Sequence, residues 1–371
     1  MTSPSVIVVG AGIVGCTIAY ELARSGARVH VIEARAPAQG ATRASAGILA
    51  PFIEGHGASL LRDLGKRSLD LYDAFIARLA EDSNHTLIYR RNGTFELAFS
   101  PEDVTRLREL SALLADRGID CSWIEPRHFS DYEPAASPQA VGALLVPAHG
   151  YVGVTSLTLA AAAAAEIFGA RFTIETGAIR ILPMAGGRVG VHTPGITLDA
   201  DRVVLAAGSW SSQITVDGVD AIPVKPIRGQ LIQLQTGRGA IERVIWGPDG
   251  YLVPWPDGSV LVGSTVEDVG FDETHTPDAV ERLRSAAVSM IPSLAAAEMS
   301  GVRTGLRPKG PDDLPILGHS QVVPGLIYAT AHYRNGVLFT PLTMELVREM
   351  IFDRAADPAL RDLDPSRVGV L

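Results

Sequence analysis

Three glycines near the start of the chain, Gly10, Gly12 and Gly15, have the spacing of a loop that binds a pyrophosphate. In such a loop the first glycine permits a tight turn, the second lets the backbone approach the phosphates, and the third lets a helix pack closely on a strand. Glu33 follows, and a carboxylate there can accept hydrogen bonds from both hydroxyls of an adenosine ribose while repelling a 2′-phosphate. These residues predict a site for NAD or FAD and disfavour NADP.

The elements that must position these residues are predicted by the same segment. A β-branched run over Ser5–Val9 is typical of a parallel strand buried on both faces. Apolar residues at helical spacing from Val14 to Leu22 indicate a helix, and a second apolar run over residues 29–32 leads to Glu33. Because strand, turn, helix, strand and acid are all present, a dinucleotide site is favoured over a chance turn among 37 glycines.

Length and composition are those of a folded, enzyme-sized chain. Its 371 residues, of which 47% are apolar, correspond to two domains at about 150 residues each. The net charge is −9 without a run of Lys or Arg, so nucleic acid is not expected as a partner. Cys16 and Cys121 stand alone, which argues against a disulfide framework or a zinc site. No apolar stretch has the roughly 18 residues of a membrane span, and we expect a cytoplasmic protein without a transmembrane segment.

Four further segments complete the pattern. A loop of small residues over 40–51 would let backbone lie against a flat ring system, and the segments 203–210, 305–318 and 332–341 follow it. Together with the glycine loop, and in this order, they resemble the D-amino acid oxidase (DAO) family of FAD-dependent oxidoreductases, most of all its glycine oxidase branch. The single G-x-G-x-x-G unit and the lack of a cysteine pair also favour FAD, reduced by a substrate rather than by NAD(P)H.

The predicted fold class is α/β, with an FAD-binding, Rossmann-like domain of the GR2 type interleaved with an α+β substrate domain on an antiparallel sheet. Alternating runs over residues 229–234, a strand over 251–254, and helices beginning near Ser100 and Thr276 indicate the second domain. The predicted boundaries give the FAD-binding domain residues 1–86, 142–221 and 301–371, and the substrate domain residues 87–141 and 222–300.

The FAD is expected to be non-covalent, since no Cys or His motif for covalent attachment is evident. The motifs and the resemblance predict a set of contacts from five segments of the chain: Gly10, Gly12, Ile13, Val14, Gly15, Glu33, Ala34, Arg35, Thr42, Arg43, Ala44, Ser45, Ala46, Gly47, Leu49, Ala206, Ala207, Gly208, Trp210, Arg307, Tyr333, Arg334, Asn335, Gly336, Val337 and Leu338.

Two of these segments have structural alternatives. Ala206–Gly208 could be an ordinary turn after a strand. The turn at 333–338 precedes a helix with Thr340 and Pro341 as its predicted N-cap and first residue, and it could be no more than a cap. In the resembling family its backbone N–H groups lie at the pyrimidine edge of the flavin, where they would stabilise the charge of the reduced ring.

Three residues are predicted to contact the substrate. Arg307 offers a planar fork for a carboxylate, in keeping with the role that the resemblance implies, although an ion pair with Asp312 or Asp313 is the alternative. The resemblance also implies that the hydroxyl of Tyr251 meets the substrate carboxylate. The alternative is that Tyr251 is a core aromatic on an alternating strand. Arg334 would contact the substrate carboxylate or shape the cavity. The alternative is that Arg334 is solvated or forms an ion pair.

The resemblance implies oxidative deamination of glycine or a small amino acid. A hydride passes from Cα to flavin N5, the imine hydrolyses to a 2-oxo acid, and O2 reoxidises the flavin. The alternative is a dehydrogenase for a D-amino acid, sarcosine or (hydroxy)proline that passes electrons to a quinone or another acceptor. A flavoprotein that binds FAD without turnover is a third hypothesis, and a homo-oligomer is left open.

Some residues depart from the family pattern. Lys309 could add positive charge near the mouth of the site, and the bulky run at 51–53 could narrow the substrate cavity. His56, His149, His275 and His332 show no metal-ligand spacing and are expected at the surface or in loops.

Overall fold

The computed structural model describes residues 3–54, 59–237, 239, 241–352 and 357–371. Within these residues the strands are β1 (Ser5–Val9), β2 (Arg28–Glu33), β3 (Ile48–Leu49), β4 (Tyr89–Arg90), β5 (Thr94–Ala98), β6 (Ser122–Ile124), β7 (Gly142–Val146), β8 (Gly150–Val152), β9 (Arg171–Ile174), β10 (Arg180–Pro183), β11 (Val189–His192), β12 (Thr197–Ala200), β13 (Arg202–Leu205), β14 (Thr215–Val216), β15 (Lys225–Gln235), β16 (Val244–Gly247), β17 (Gly250–Pro254), β18 (Ser259–Gly263), β19 (Glu298–Lys309), β20 (Ile316–His319) and β21 (Leu326–Thr330).

The α-helices in the same part of the chain are α1 (Ile13–Arg24), α2 (Ala41–Ala44), α3 (Pro51–Glu54), α4 (Ser59–Ser83), α5 (Pro101–Asp116), α6 (Phe129–Tyr132), α7 (Val154–Ile167), α8 (Pro277–Met290), α9 (Thr340–Ile351) and α10 (Ala359–Leu363). Short 3-10 turns lie between them, the longest over Gly208–Gln213. In the described residues no helix is long and apolar enough to cross a membrane.

A six-stranded sheet in the order β20-β21-β13-β1-β2-β9 forms the first layer, and its strands are parallel except for β20. Alternate residues of β1 enter two cores, since Val6 and Val8 pack with the helices while Ile7 and Val9 pack with β10 and β11. Both faces of the sheet are therefore covered, which is why β1 is apolar without alternation.

An eight-stranded sheet forms the second unit, in the order β19-β15-β18-β17-β16-β5-β7-β6. It is antiparallel except where β16 runs parallel to β5. Helix α8 packs on one face of it, with Leu283, Ala287 and Met290 in the core. The predicted combination of a parallel Rossmann-like sheet with a largely antiparallel sheet is confirmed. The domain boundaries stay a prediction, and the antiparallel sheet takes β7 and most of β19 from beyond them.

Several helix ends follow their local sequence. The Ser100 side chain accepts from the Asp103 amide, and the Asp103 carboxylate accepts from the Ser100 amide, which is a complete capping box for α5. Thr276 caps α8 through its side chain alone, which accepts from the amide of Ala279. Helix α9 differs from the prediction, since Phe339 is its N-cap and Thr340 is its first residue. The Thr340 hydroxyl instead donates to the Gly336 carbonyl at 2.8 Å.

Candidate functional site

A cavity of about 620 Å³ lies between the carboxyl ends of the parallel strands and the antiparallel sheet. Its wall combines the first glycine loop, the small-residue loop, the end of β13, the segment after β21, and residues of β15, β17 and β19. A cleft at the carboxyl ends of parallel strands is where doubly wound sheets bind their ligands. The cavity therefore brings together segments that lie far apart in the sequence.

Gly10, Gly12 and Gly15 each exclude a larger side chain for a different reason. Gly10 has a φ of +109°, and a Cβ there would lie 2.4 Å from the Ala206 carbonyl oxygen. A Cβ on Gly15 would lie 1.9 Å from the Gly10 carbonyl oxygen. At Gly12 the single neighbour of a Cβ is the Thr42 hydroxyl, 3.3 Å away, so that the atom would otherwise occupy open space at the cavity wall. The missing side chain of Gly12 thus leaves space in the cavity for a ligand, and packing of the protein chain does not require it.

The N-terminus of α1 presents backbone donors at this wall. The Ile13 amide donates to the Thr42 hydroxyl at 3.0 Å. No acceptor among the described residues takes the amide protons of Gly12 and Val14. Unpaired amides at the positive end of a helix dipole suit a pyrophosphate, so the residues present fit a dinucleotide here.

Glu33 fixes the glycine loop as well as facing the cavity. Its carboxylate accepts from the Ala11 amide at 2.6 Å and from the Arg35 amide at 2.9 Å. Two carboxylate oxygens offer about four acceptor positions, so capacity remains for ribose hydroxyls.

Arg35 closes this end of the cavity. Its guanidinium lies 4.6 Å from the ring centroid of Trp210 and forms an ion pair of 2.7 Å with Glu273. The ring of Phe271 lies 6.0 Å from that of Trp210. Since Glu273 and Phe271 precede α8, the closure joins the two units of the fold.

The small-residue loop reaches the wall from Gly40 to Ile48. Gly47 has a φ of +76°, and a Cβ there would lie 1.9 Å from the Val152 carbonyl oxygen. Glycine is therefore required at this position for the loop to follow β8 into the cavity.

The turn that leads into α9 is held from behind by α4. Tyr72 donates to the Val337 carbonyl at 2.5 Å, and Ser68 donates to the Leu338 carbonyl at 2.7 Å. With these carbonyls tied to α4, Gly336 and Val337 face the cavity, and no acceptor among the described residues takes their amide protons. These donors, beside the start of α9, suit the polar edge of a flat ring.

Arg307 lies on the wall with Gly229, Tyr251 and Ser264. Its guanidinium donates to the Thr265 carbonyl at 3.0 Å and to the Ser264 hydroxyl at 2.7 Å. The alternative ion pairs are not formed, since Asp312 pairs with Arg367 and Asp313 with Lys309. The guanidinium thus reaches the cavity bonded to two uncharged oxygens, so its positive charge is not neutralised by either of them.

Tyr251 and Arg334 also reach the cavity wall. Tyr251 is buried, its ring lies 5.0 Å from that of Trp246, and its hydroxyl would lie 2.6 Å from a Cβ on Gly263. It is thus both a core aromatic and a wall residue. Arg334 is exposed and reaches the wall from the segment after β21.

The charge of Lys309 is balanced within its own segment. Its ammonium pairs with Asp313 at 3.2 Å and lies 5.0 Å from the ring centroid of Tyr333, which is on the wall.

The bulky run at 51–53 does not line the cavity, contrary to expectation. Phe52 instead packs under α5 and stacks on His149 at 5.1 Å.

Of the histidines expected at the surface or in loops, His149 and His332 lie in loops and are buried. His332 is buried, lines the cavity and hydrogen-bonds through Nε2 to the Thr343 hydroxyl at 3.0 Å. Burial lowers the pKa of His332 to about 4. Burial, followed by the charge of Arg91, lowers the pKa of His149 to about 3. His275 is exposed, and His56 lies outside the described residues.

Most of the predicted contacts line the cavity, and five do not: Gly15, Arg43, Leu49, Asn335 and Leu338. Leu49 and Leu338 belong to the helix-side core, and Asn335 is buried in the turn before α9. Arg43 is exposed and is not part of the wall. These residues would support the site from behind or stand apart from it.

Sequence reasoning missed a set of wall residues on the antiparallel sheet. Gly229 and Gly305 face each other across β15 and β19. A Cβ on Gly229 would lie 2.3 Å from the Arg307 guanidinium, and a Cβ on Gly305 would lie 2.6 Å from that of Ala44. Glycine inside a strand marks a close approach, so this signal was present in the sequence. Ser264 and His332 carried no comparable signal.

Comparisons with known proteins agree with this site. The model of the family described as "DAO: FAD dependent oxidoreductase" matches residues 5–350. The bifunctional protein ThiO/ThiG of Nostoc sp. is 31% identical over 366 residues, covering 98% of this chain and 55% of that protein. The chain thus spans about half the length of such relatives. The glycine oxidase of Pseudomonas aeruginosa is 30% identical over 372 residues, covering 96% of this chain and 98% of that protein.

A solved structure extends the similarity to the fold. The crystal structure of glycine oxidase from Geobacillus kaustophilus superposes with a TM-score of 0.92 at 27% identity, over 98% of this chain and 99% of that one. The similarity therefore covers both sheets and the cavity between them.

Proposed function

Since this chain belongs to the DAO family of FAD-dependent oxidoreductases, we propose that it oxidises glycine or another small amino acid with O2 as the acceptor. The amino acid, O2 and water would give a 2-oxo acid, ammonia and hydrogen peroxide. FAD, when bound, supplies the two-electron acceptor.

The observation that carries the proposal is the position of Arg307. Its guanidinium stands on the cavity wall, held by two uncharged oxygens, with Tyr251 beside it. A planar fork held in this manner suits the bidentate binding of a carboxylate. Arg307 would therefore fix the substrate, and with it the direction of the Cα–H bond.

The charges on the wall favour a neutral amine. Among the described residues of the wall, Glu33 is the single acidic one, and it lies beside the glycine loop. With the substrate carboxylate on Arg307, an ammonium at the other end of the substrate would find no carboxylate among wall residues such as Ile48, Leu231 and Tyr251. These apolar side chains also exclude water, which strengthens the pairing of the guanidinium with the carboxylate.

The wall around Arg307 favours a small substrate. Leu231 and Tyr251 are buried there, and Ser264 contributes a short side chain that is already bonded to the guanidinium. Relatives named glycine oxidase fit this view.

The test is a panel of substrates with the purified holoprotein: glycine, sarcosine, D-alanine, D-proline and hydroxyproline. Under nitrogen, bleaching of the flavin identifies the substrate, and in air the peroxide formed is measured. We expect glycine or sarcosine to bleach the flavin and to form peroxide. Bleaching with dye reduction but without peroxide would instead favour a dehydrogenase.

Arg307→Ala tests the anchor in the same assay. We expect the flavin to remain bound while bleaching at ordinary substrate concentrations is lost, with kcat/KM reduced by about a hundredfold or more. Arg180→Ala is the matched control, because its ion pair with Asp217 is exposed and outside the wall. Near-normal turnover by Arg307→Ala would contradict the assignment, and a panel in which no amine bleaches the flavin would contradict the function.

A further inference from the structure

The Arg307 guanidinium is bonded to a segment without regular structure. Residues 264–276, which we call the strap, run from the end of β18 to α8 and form neither helix nor strand apart from one bridge to β15. Both bonds of the Arg307 guanidinium go to the first residues of the strap, the Ser264 hydroxyl and the Thr265 carbonyl. The orientation of the guanidinium therefore depends on the position of the strap.

A buried arginine holds the middle of the strap. Arg228 lies on β15, and 5% of its side chain is exposed. It donates to the Glu267 carboxylate at 2.5 Å, to the Asp272 carboxylate at 2.5 Å and to the Thr274 carbonyl at 3.1 Å. The backbones of Arg228 and Glu267 exchange hydrogen bonds as well. One guanidinium thus fastens three positions of the strap to the sheet.

Gln230, two residues further along β15, holds the strap on the same side. Its side chain donates to the Glu267 carboxylate at 2.8 Å and accepts from the Thr276 amide at 2.8 Å. The backbone N–H of Gln230 donates to the Thr265 hydroxyl at 2.9 Å. Because Gln230 is fully buried, its side-chain amide and its backbone N–H both need hydrogen-bond partners within the protein.

The Glu267 carboxylate receives donors from several residues at once. Burial by itself would raise the pKa of Glu267, but bonds from Thr265, Arg228 and Gln230 hold the pKa below its usual value. The carboxylate is therefore charged and fully engaged. Removing the arginine fork would leave this partly buried charge without its cationic partner, and we expect the strap to move toward water to solvate it.

The far part of the strap is tied down separately, by Glu273 on Arg35 and by Phe271 on Trp210. With Phe271 and Glu273 still fixed, loss of the Arg228 contacts would loosen the stretch from Ser264 to Gly270. That stretch carries both acceptors of the Arg307 guanidinium.

Resting on the proposed function, we propose that Arg228 is a positioning residue for substrate binding. It acts through the strap, holding Ser264 and Thr265 where they aim the Arg307 guanidinium at the substrate carboxylate. Arg228 itself is absent from the cavity wall.

The experiment compares the wild-type holoprotein with Arg228→Lys, which keeps the charge but loses the fork. We expect KM for the amino acid to rise by about tenfold or more while kcat changes less than about threefold. The dissociation constant of acetate, measured from the flavin absorbance, should rise with KM. Lys225→Ala is the matched control, since it lies on the same strand and its ion pair with Asp268 of the strap is more than half exposed.

A double-mutant cycle separates positioning from general stability. In an Arg307→Lys background, Arg228→Lys should have almost no further effect on acetate affinity, because a lysine has no fork for the strap to orient. Additive losses would overturn the proposal, as would acetate affinity and KM within about twofold of wild type in Arg228→Lys. If that variant does not fold, Glu267→Gln removes the same ion pair and is judged by the same outcomes.

Failure of the proposed function would look different. It would appear in the wild-type protein, as no amine oxidised and no carboxylate bound, and both proposals would then fall. Failure of the positioning role alone appears only in the variants of a wild-type protein that does both.

Discussion

Gly12 is the N-cap of α1 and Gly15 lies in its first turn, and the space for a side chain differs between them. A methyl group on Gly12 would meet the Thr42 hydroxyl at 3.3 Å and otherwise enter the cavity, whereas one on Gly15 would lie 1.9 Å from a backbone oxygen. The φ of Gly12 is −73°, which alanine adopts readily. The two glycines therefore serve the ligand and the fold respectively.

Gly12→Ala should separate cofactor binding from folding. We expect the unfolding free energy of the apoprotein to stay within about 1 kcal/mol of wild type, since one rotatable hydroxyl must shift. FAD affinity should fall about tenfold or more, because the methyl group occupies the approach to the phosphates. Thermal unfolding of the apoprotein and quenching of FAD fluorescence measure the two effects.

Gly15→Ala is the comparison, and it should lower the unfolding free energy by about 2 kcal/mol or more through overpacking. Wild-type FAD affinity in Gly12→Ala would mean that the phosphates do not pass this residue.

At the scale of elements, α4 and α9 meet at the turn that faces the cavity. Tyr72 of α4 is fully buried, and burial holds the pKa of its hydroxyl well above the usual range, so it donates as a neutral phenol. Its acceptor is the Val337 carbonyl. The orientation of the turn thus depends on packing between two helices and not on the sequence of the turn alone.

Tyr72→Phe should loosen this turn. The Val337 carbonyl would keep the Thr340 amide as a donor but lose the phenol, which costs about 1 kcal/mol in unfolding free energy. FAD affinity should decrease as well, because the amides of the turn would no longer be fixed toward the cavity. Denaturant unfolding of the apoprotein and FAD titration are the measurements.

Tyr89→Phe provides the control, since its ring stacks on Tyr72 while its hydroxyl bonds Asp73 at an exposed position. Equal losses in both variants would argue against a specific role for the Tyr72 hydroxyl.

At the scale of the whole molecule, buried titratable groups set the pH dependence of stability. His149, with a folded-state pKa of about 3, binds fewer protons in the folded state than in the unfolded state. The unfolding free energy therefore decreases as pH falls from 6.5 toward 3. Glu133 has the opposite sign. Burial, opposed by amide donors from Glu242 and Arg243, raises the pKa of Glu133 to about 7, and its contribution is lost as pH rises from 4.5 to 7.

Two variants should therefore change the pH profile in opposite directions. Between pH 4 and 6.5, His149→Gln should flatten the rise of the unfolding free energy by about 1–3 kcal/mol, and Glu133→Gln should steepen it by a similar amount. Urea unfolding at several pH values measures both slopes. Parallel profiles for the wild type and the two variants would show that neither group is perturbed as described.

Local patterns in the sequence determined the glycine loop, the strands β1 and β2, the capped helices and the family resemblance, because each depends on residues a few positions apart. The glycine pair of β15 and β19 lay within reach of the same reasoning, since glycine in a strand marks a close approach.

Only the tertiary structure decided which oxygens hold Arg307, that His332 is buried at the cavity, and that Phe52 packs away from it. Arg307 bonds residues 42 and 43 positions away, and Tyr72 bonds one 265 positions away. Such contacts arise where separate layers pack, and periodicity within one element carries no information about the element it will meet.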